Sequence, residues 1–101
     1  MKKFTMVVHS SLQQELADRL RDWQLDTFMF THVEEHSAQM EQDAFLSARD
    51  RVVGYVPQIR VDMILEDDRA RQLVNDLRNP QCAFKGKGIY WITNVEESGE
   101  L

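Results

Sequence analysis

"YVPQIRVDMILEDDRARQLVNDLR", Tyr55 to Arg78, carries two hydrophobic periods back to back. Through Leu65, the apolar residues Ile59, Val61, Met63 and Leu65 alternate with Gln58, Arg60 and Asp62, the period of two that a strand with one buried face requires. Past Glu66 the spacing changes, and Ala70, Leu73, Val74 and Leu77 fall on one stripe of a helix. Glu66, Asp67 and Asp68 stand at the positive end of its dipole and Arg78 at the negative end. Asn79-Pro80 stops it, because proline lacks the amide and the room for another turn. Pro57, near the start of the strand, predicts an edge or unpaired position there.

Working outward, Phe4 to Val8 is a short apolar run, followed by "HSSLQQELADRLRDW", where Leu12, Leu16, Leu20 and Trp23 recur at helical spacing. Ser10 or Ser11 is the expected cap of that helix, with Gln13 or Gln14 reaching back. In "DTFMFTHVEEH", Phe28, Phe30, His32 and Glu34 alternate with Met29, Thr31 and Val33, which predicts a second strand. The last strand is "GIYWITNV", Gly88 to Val95. Between the second and third strands, Ser37 to Gly54 is polar and too long for a tight turn, a length that marks a functional or disordered loop.

The order strand, helix, strand, strand, helix, strand predicts one α+β domain over residues 1–101. Its economical packing is the ferredoxin-like βαββαβ arrangement, a four-stranded antiparallel sheet with both helices on one face. The second face then stays uncovered, and Val7, Met29, Val33, Ile64 and Ile92 are expected on it. Showing these residues to water is unfavourable, so an oligomer built through that face is expected.

Composition narrows the function. With 17 acidic and 12 basic residues the chain carries a formal charge of -5, which disfavours a sequence-independent grip on nucleic acid or an anionic membrane. The N-terminus "MKKFTMVVHS" lacks a signal-peptide core and no run reaches the length of a membrane span, so a cytoplasmic protein without membrane insertion is expected. A single cysteine, Cys82, makes no disulfide within the chain, in keeping with a reducing compartment.

Two segments, "VPQIRVDMILEDDRARQLVNDLR" and "KGKGIYWITNVEESGEL", resemble the PII-like signalling proteins: proline, alternating strand, acidic turn and helix, then a glycine-lysine turn, last strand and Val-Glu-Glu exit. Within that group the chain looks most like the small PII-like proteins encoded beside heavy-metal efflux pumps. The resemblance covers the whole chain in element order and is specific in those two segments. It implies a non-enzymatic regulatory homotrimer whose sheets face the threefold axis and whose ligand clefts lie between neighbouring subunits. The loop matching 37–54 would reach a partner protein such as a membrane transporter, and the turn Lys85-Gly86-Lys87-Gly88 would wrap the phosphates of a nucleotide or another small anion. Two departures stand out. PII proteins carry phosphate-pairing arginines beyond the last strand, whereas no Lys or Arg follows Lys87, which weakens the expectation of ATP. The loop also lacks the family's modified tyrosine at its tip, since Tyr55 stands at the start of a strand.

From the residues themselves, glycines let backbone amides approach a phosphate and lysine supplies charge. The same tetrad is equally a turn entering a strand, since it has no Walker spacing and no helix begins after it. "KGKGIYWI" also brushes against the RNA-binding aromatic signature but has Lys87 where an aromatic belongs, on the last strand instead of the central one. His9, His32, His36 and Cys82 are the metal candidates, since imidazole and thiolate suit Zn, Cu or Ni. His32 and His36 share a strand face four residues apart, about 13 Å, so a second chain or a hairpin partner would have to complete a site. The alternative is ordinary exposed or hydrogen-bonded histidines. Acid-base catalysis is not expected: Glu34 and Glu35 fall on opposite faces, and Glu66, Asp67 and Asp68 serve the helix dipole. Acylphosphatase shares the element order, but here "HSSLQQ" after the first strand has no catalytic arginine.

Overall fold

Alternation at Phe4, Met6 and Val8 gives strand β1 (Lys2–His9) a fully buried side, and everything else is arranged about it. The structure, a computed structural model, describes residues 1–37 and 54–101. After β1 come a 3-10 turn (Ser10–Leu12), helix α1 (Gln13–Asp22), strands β2 (Met29–Glu35) and β3 (Val56–Leu65), helix α2 (Asp67–Arg78) and strand β4 (Gly88–Asn94). The sheet order is β2-β3-β1-β4 with every neighbouring pair antiparallel. This is the ferredoxin-like α+β fold. The long loop expected at 37–54 lies, apart from its two end residues, outside the described residues.

Register decides which residues meet. Phe4 lies opposite Met63, Met6 opposite Val61 and Val8 opposite Ile59, so the two central strands bury one continuous apolar face. Leu16, Ala17 and Leu20 of α1 and Ala70, Leu73 and Leu77 of α2 close over it. Burying each large aliphatic side chain here contributes about 1.5–3 kcal/mol, and together they hold both helices on one side. Pairing of β3 with β1 ends at Gln58, so Pro57 has only β2 beside it, opposite Glu34. The missing proline amide is tolerated at a locally unpaired position.

Two expectations are corrected. Ile92 pairs with Phe4 and therefore lies on the helix side of the sheet; Ile89 and Trp91, opposite Val7 and Thr5, are the apolar residues β4 turns outward. Val7, Met29, Val33 and Ile64 do occupy the outer face, in register with Arg60, Asp62, Gln58 and Lys3. The entry to α1 also differs, because Leu12 caps it without a side-chain hydrogen bond and the cap belongs to the preceding 3-10 turn. There His9 Nδ1 accepts from the Ser11 amide at 3.1 Å, and Ser11 Oγ lies 2.9 Å from the same nitrogen.

The two helices are tied to each other and to the N-terminus. Arg69 of α2 donates to the carbonyl of Trp23 at the end of α1 and, at 2.7 Å, to Gln72. The Met1 ammonium sits 3.0 Å from Asp67 at the start of α2. That hydrogen bond, helped by the nearby charges of Lys2 and Arg71, holds the Asp67 carboxyl below its usual range.

Candidate functional site

The chain from α2 to β4 is a run of tight turns. The Gln81 amide donates to Asn79 Oδ1 at 2.9 Å, Cys82 to the Asn79 carbonyl at 2.9 Å, Lys85 to Cys82 at 3.2 Å and Lys87 to Phe84 at 3.0 Å. Phe84 is buried and anchors the run to the core. The turn therefore stands on a fixed base although Lys85, Gly86 and Lys87 are exposed.

Its two glycines have different reasons to be there. Gly86 has φ +75° with open space where a side chain would point, so it is a turn glycine. Gly88 begins β4, and a Cβ on it would stand 2.4 Å from the Val7 carbonyl oxygen and 2.8 Å from Val8 Cγ1. Close packing of β4 on β1 accounts for that glycine without any ligand.

A cavity of about 230 Å³ opens beneath the turn. Lys85, Gly86 and Gly88 line it with Arg78, Phe84 and Tyr90, over a floor that includes Met6 and Leu77. Lys85 Nζ lies 3.4 Å from the Arg78 carbonyl, so the lysine also complements the negative end of α2. Tyr90 stacks on Phe4, with ring centroids 5.9 Å apart and planes 9° apart, which fixes the aromatic wall. The result is an apolar hollow rimmed by two cations, Arg78 and Lys85, and the turn glycine. That arrangement suits a small anion, or an anion carrying a flat apolar group. Arg78 and Tyr90 were not among the residues singled out by sequence, where one reads as a helix-end charge and the other as part of a strand.

The metal candidates are spread out. His9 lies opposite Gln58 and His32 opposite Ile59, so within one chain they occupy opposite faces of the sheet. His36 follows β2, with Nε2 3.5 Å from Glu34 Oε2 and its ring 5.8 Å from that of Tyr55. Cys82 is a half-buried free thiol lining a shallow groove with Arg19, Trp23 and Asp76. Among the described residues, no three His, Cys, Asp or Glu side chains stand close enough to hold a metal ion.

The outer face of the sheet is not uniformly apolar. At its centre Asp62 accepts from Thr5 Oγ1 at 2.7 Å and Arg60 Nε at 3.1 Å, with Lys3 Nζ 3.7 Å away. Around this network stand Met29, Ile64, Ile89 and Trp91, each 40% exposed or more. A single chain thus leaves an apolar ring with a satisfied polar centre open to water.

A ferredoxin-like domain that presents a cationic hollow at the turn into its last strand, beside an uncovered sheet face, has the architecture of a small binding module. The chain belongs to the family described as "Protein of unknown function (DUF3240)", whose profile matches residues 2–101. It is also similar to the nitrogen regulatory protein P-II of Rhizobium meliloti (strain 1021), 24% identical over 98 residues, which span 96% of this chain and 88% of that protein. Similarity over nearly the full length of both chains supports a PII-like relationship. No helix of the described residues is long and apolar enough to cross a membrane.

Proposed function

We propose that this protein is a non-enzymatic, PII-like regulatory binding module that takes a small anion or nucleotide at the turn Lys85 to Gly88. The observation that carries the reading is the hollow under that turn, where Lys85, Gly86, Arg78 and Tyr90 converge. In this reading three chains assemble through their outer sheet faces in the cytoplasm, covering Ile89, Trp91, Met29 and Ile64, and each hollow becomes part of a cleft between neighbours. The segment 37–54 reports occupancy to a partner protein such as a membrane transporter. Ligand must then favour one arrangement of that segment over another, by about 1–3 kcal/mol for ordinary coupling.

A metal-binding accessory linked to heavy-metal efflux is the second reading, with His9, His32, His36 or Cys82 supplied by several chains. A ligand-free trimeric adaptor is the third. Equilibrium dialysis of variants separates them. Nucleotide binding should fall with Lys85→Ala or Lys87→Ala and ignore His32→Ala and His36→Ala. Zinc or copper uptake that follows the histidines and ignores the lysines would establish the accessory, and no binding of either kind leaves the adaptor.

A further inference from the structure

Helix α2 sets Asp67, Arg71, Val74 and Arg78 along one stripe facing the helix-side residues Tyr90 and Ile92 of β4, and a groove of about 350 Å³ runs between them with Lys2 among its lining residues. Arg78 and Tyr90 also line the hollow under the glycine-lysine turn, so the two form one trough. Although the chain has 17 acidic and 12 basic residues, the described lining of the trough carries Lys2, Arg71, Arg78 and Lys85 against a single acid. That acid, Asp67, is already paired with the Met1 ammonium. Cations above an apolar floor, on a protein that is acidic elsewhere, select an acidic segment carrying an apolar side chain.

The chain itself contains such a segment. Residues 95–101, "VEESGEL", hold Glu96, Glu97 and Glu100 with no base, and the glutamates and Leu101 are exposed. We propose that the trough between α2 and β4 docks this acidic segment from a second copy of the chain, with glutamates against Arg71 and Arg78 and Leu101 against Val74 and Ile92. The donor is a second copy because a chain's own segment leads away from its own trough. β4 pairs with β1 as far as Lys2 opposite Asn94, and the Val95 amide then donates to the Met1 carbonyl at 3.2 Å, carrying the chain outward past the trough's end. To enter its own trough the segment would have to reverse beside Lys2. The inference goes beyond the ligand reading, with which it shares Arg78, so that tail and anion compete there, and it rests on the proposed assembly only in needing a neighbour at hand.

Disulfide trapping between two differently marked chains tests it. Both carry Cys82→Ser; one adds Asn75→Cys in the groove and the other Ser98→Cys in the tail, both at exposed positions. Mild oxidation of the mixture should give a covalent heterodimer in excess of either homodimer. Its yield should fall roughly fivefold or more when the groove chain carries Arg71→Glu and Arg78→Glu, and recover when the tail chain carries Glu96→Lys and Glu97→Lys. Raising salt from about 0.1 M to about 1 M should reduce it as well. No heterodimer, or a heterodimer whose yield is unmoved by the charge reversals, overturns the proposal. The mass of the unoxidised protein separates the two readings: trimers without cross-linking overturn the docking and leave the assembly standing, whereas monomers without cross-linking remove both.

Discussion

At the scale of single residues, the turn into β4 shows why one motif supports two readings. In the sequence Gly86 and Gly88 are alike; in the structure one is required by backbone conformation and the other by contact. Replacing Gly88 by Ala drives a methyl group into the Val7 carbonyl, which must displace β4, and should destabilise the fold by about 2–3 kcal/mol. Gly86→Ala meets open space and costs only left-handed strain, about 1–2 kcal/mol. Urea unfolding of the two variants gives the order; equal losses would contradict the packing account. Gly86 was legible as a turn residue from its Gly-Lys context, but the contact that fixes Gly88 depends on a strand more than 80 residues earlier in the chain, and no local spacing reports it.

At the scale of elements, the strands and helices were legible because each carries a clear period: Ile59, Val61 and Met63 at two, Leu73 and Leu77 at helical spacing. What the periods do not contain is parity between strands. Alternation in "GIYWITN" separates Tyr90 and Ile92 from Ile89 and Trp91, yet which pair faces the helices is set by register with β1. Hence Ile92 was expected on the wrong side. The same dependence on distant partners hid the trough, since Arg71, Arg78 and Tyr90 meet only when α2 lies beside β4. The start of α2 yields a pH prediction. The Asp67 carboxyl is lowered from its ordinary value of 3.8 by the Met1 ammonium, so its contribution to stability is complete near neutrality. That contribution fades as acid takes the pH below the ordinary value and through the lowered one. Thermal unfolding should therefore show Asp67→Asn less stable than the parent at pH 7, with the difference closing as the pH falls below 3.8. A gap independent of pH would contradict the assignment.

At the scale of the whole molecule, a domain this small leaves much of its surface in water, and here the outer sheet face combines exposed Met29, Ile64, Ile89 and Trp91 with the partly buried polar pair Thr5 and Asp62. The proposed assembly through that face would account for both, the apolar ring supplying area and the network at Asp62 fixing orientation. For the proposed trimer, the parent should sediment at three times 11.9 kDa and the Ile64→Lys, Trp91→Lys variant at one, with circular dichroism unchanged. The hollow under the turn is the other whole-molecule feature. Lys85 was legible in the sequence, whereas Lys87 does not line the hollow, and the arginine and tyrosine that complete it belong to elements joined only by folding. Calorimetric titration of the purified protein with ATP, ADP and AMP tests the central claim most directly. Saturable binding at one site per chain, abolished by Lys85→Ala combined with Lys87→Ala, is the predicted result; no heat from any nucleotide, or heat unchanged in the double variant, would contradict it.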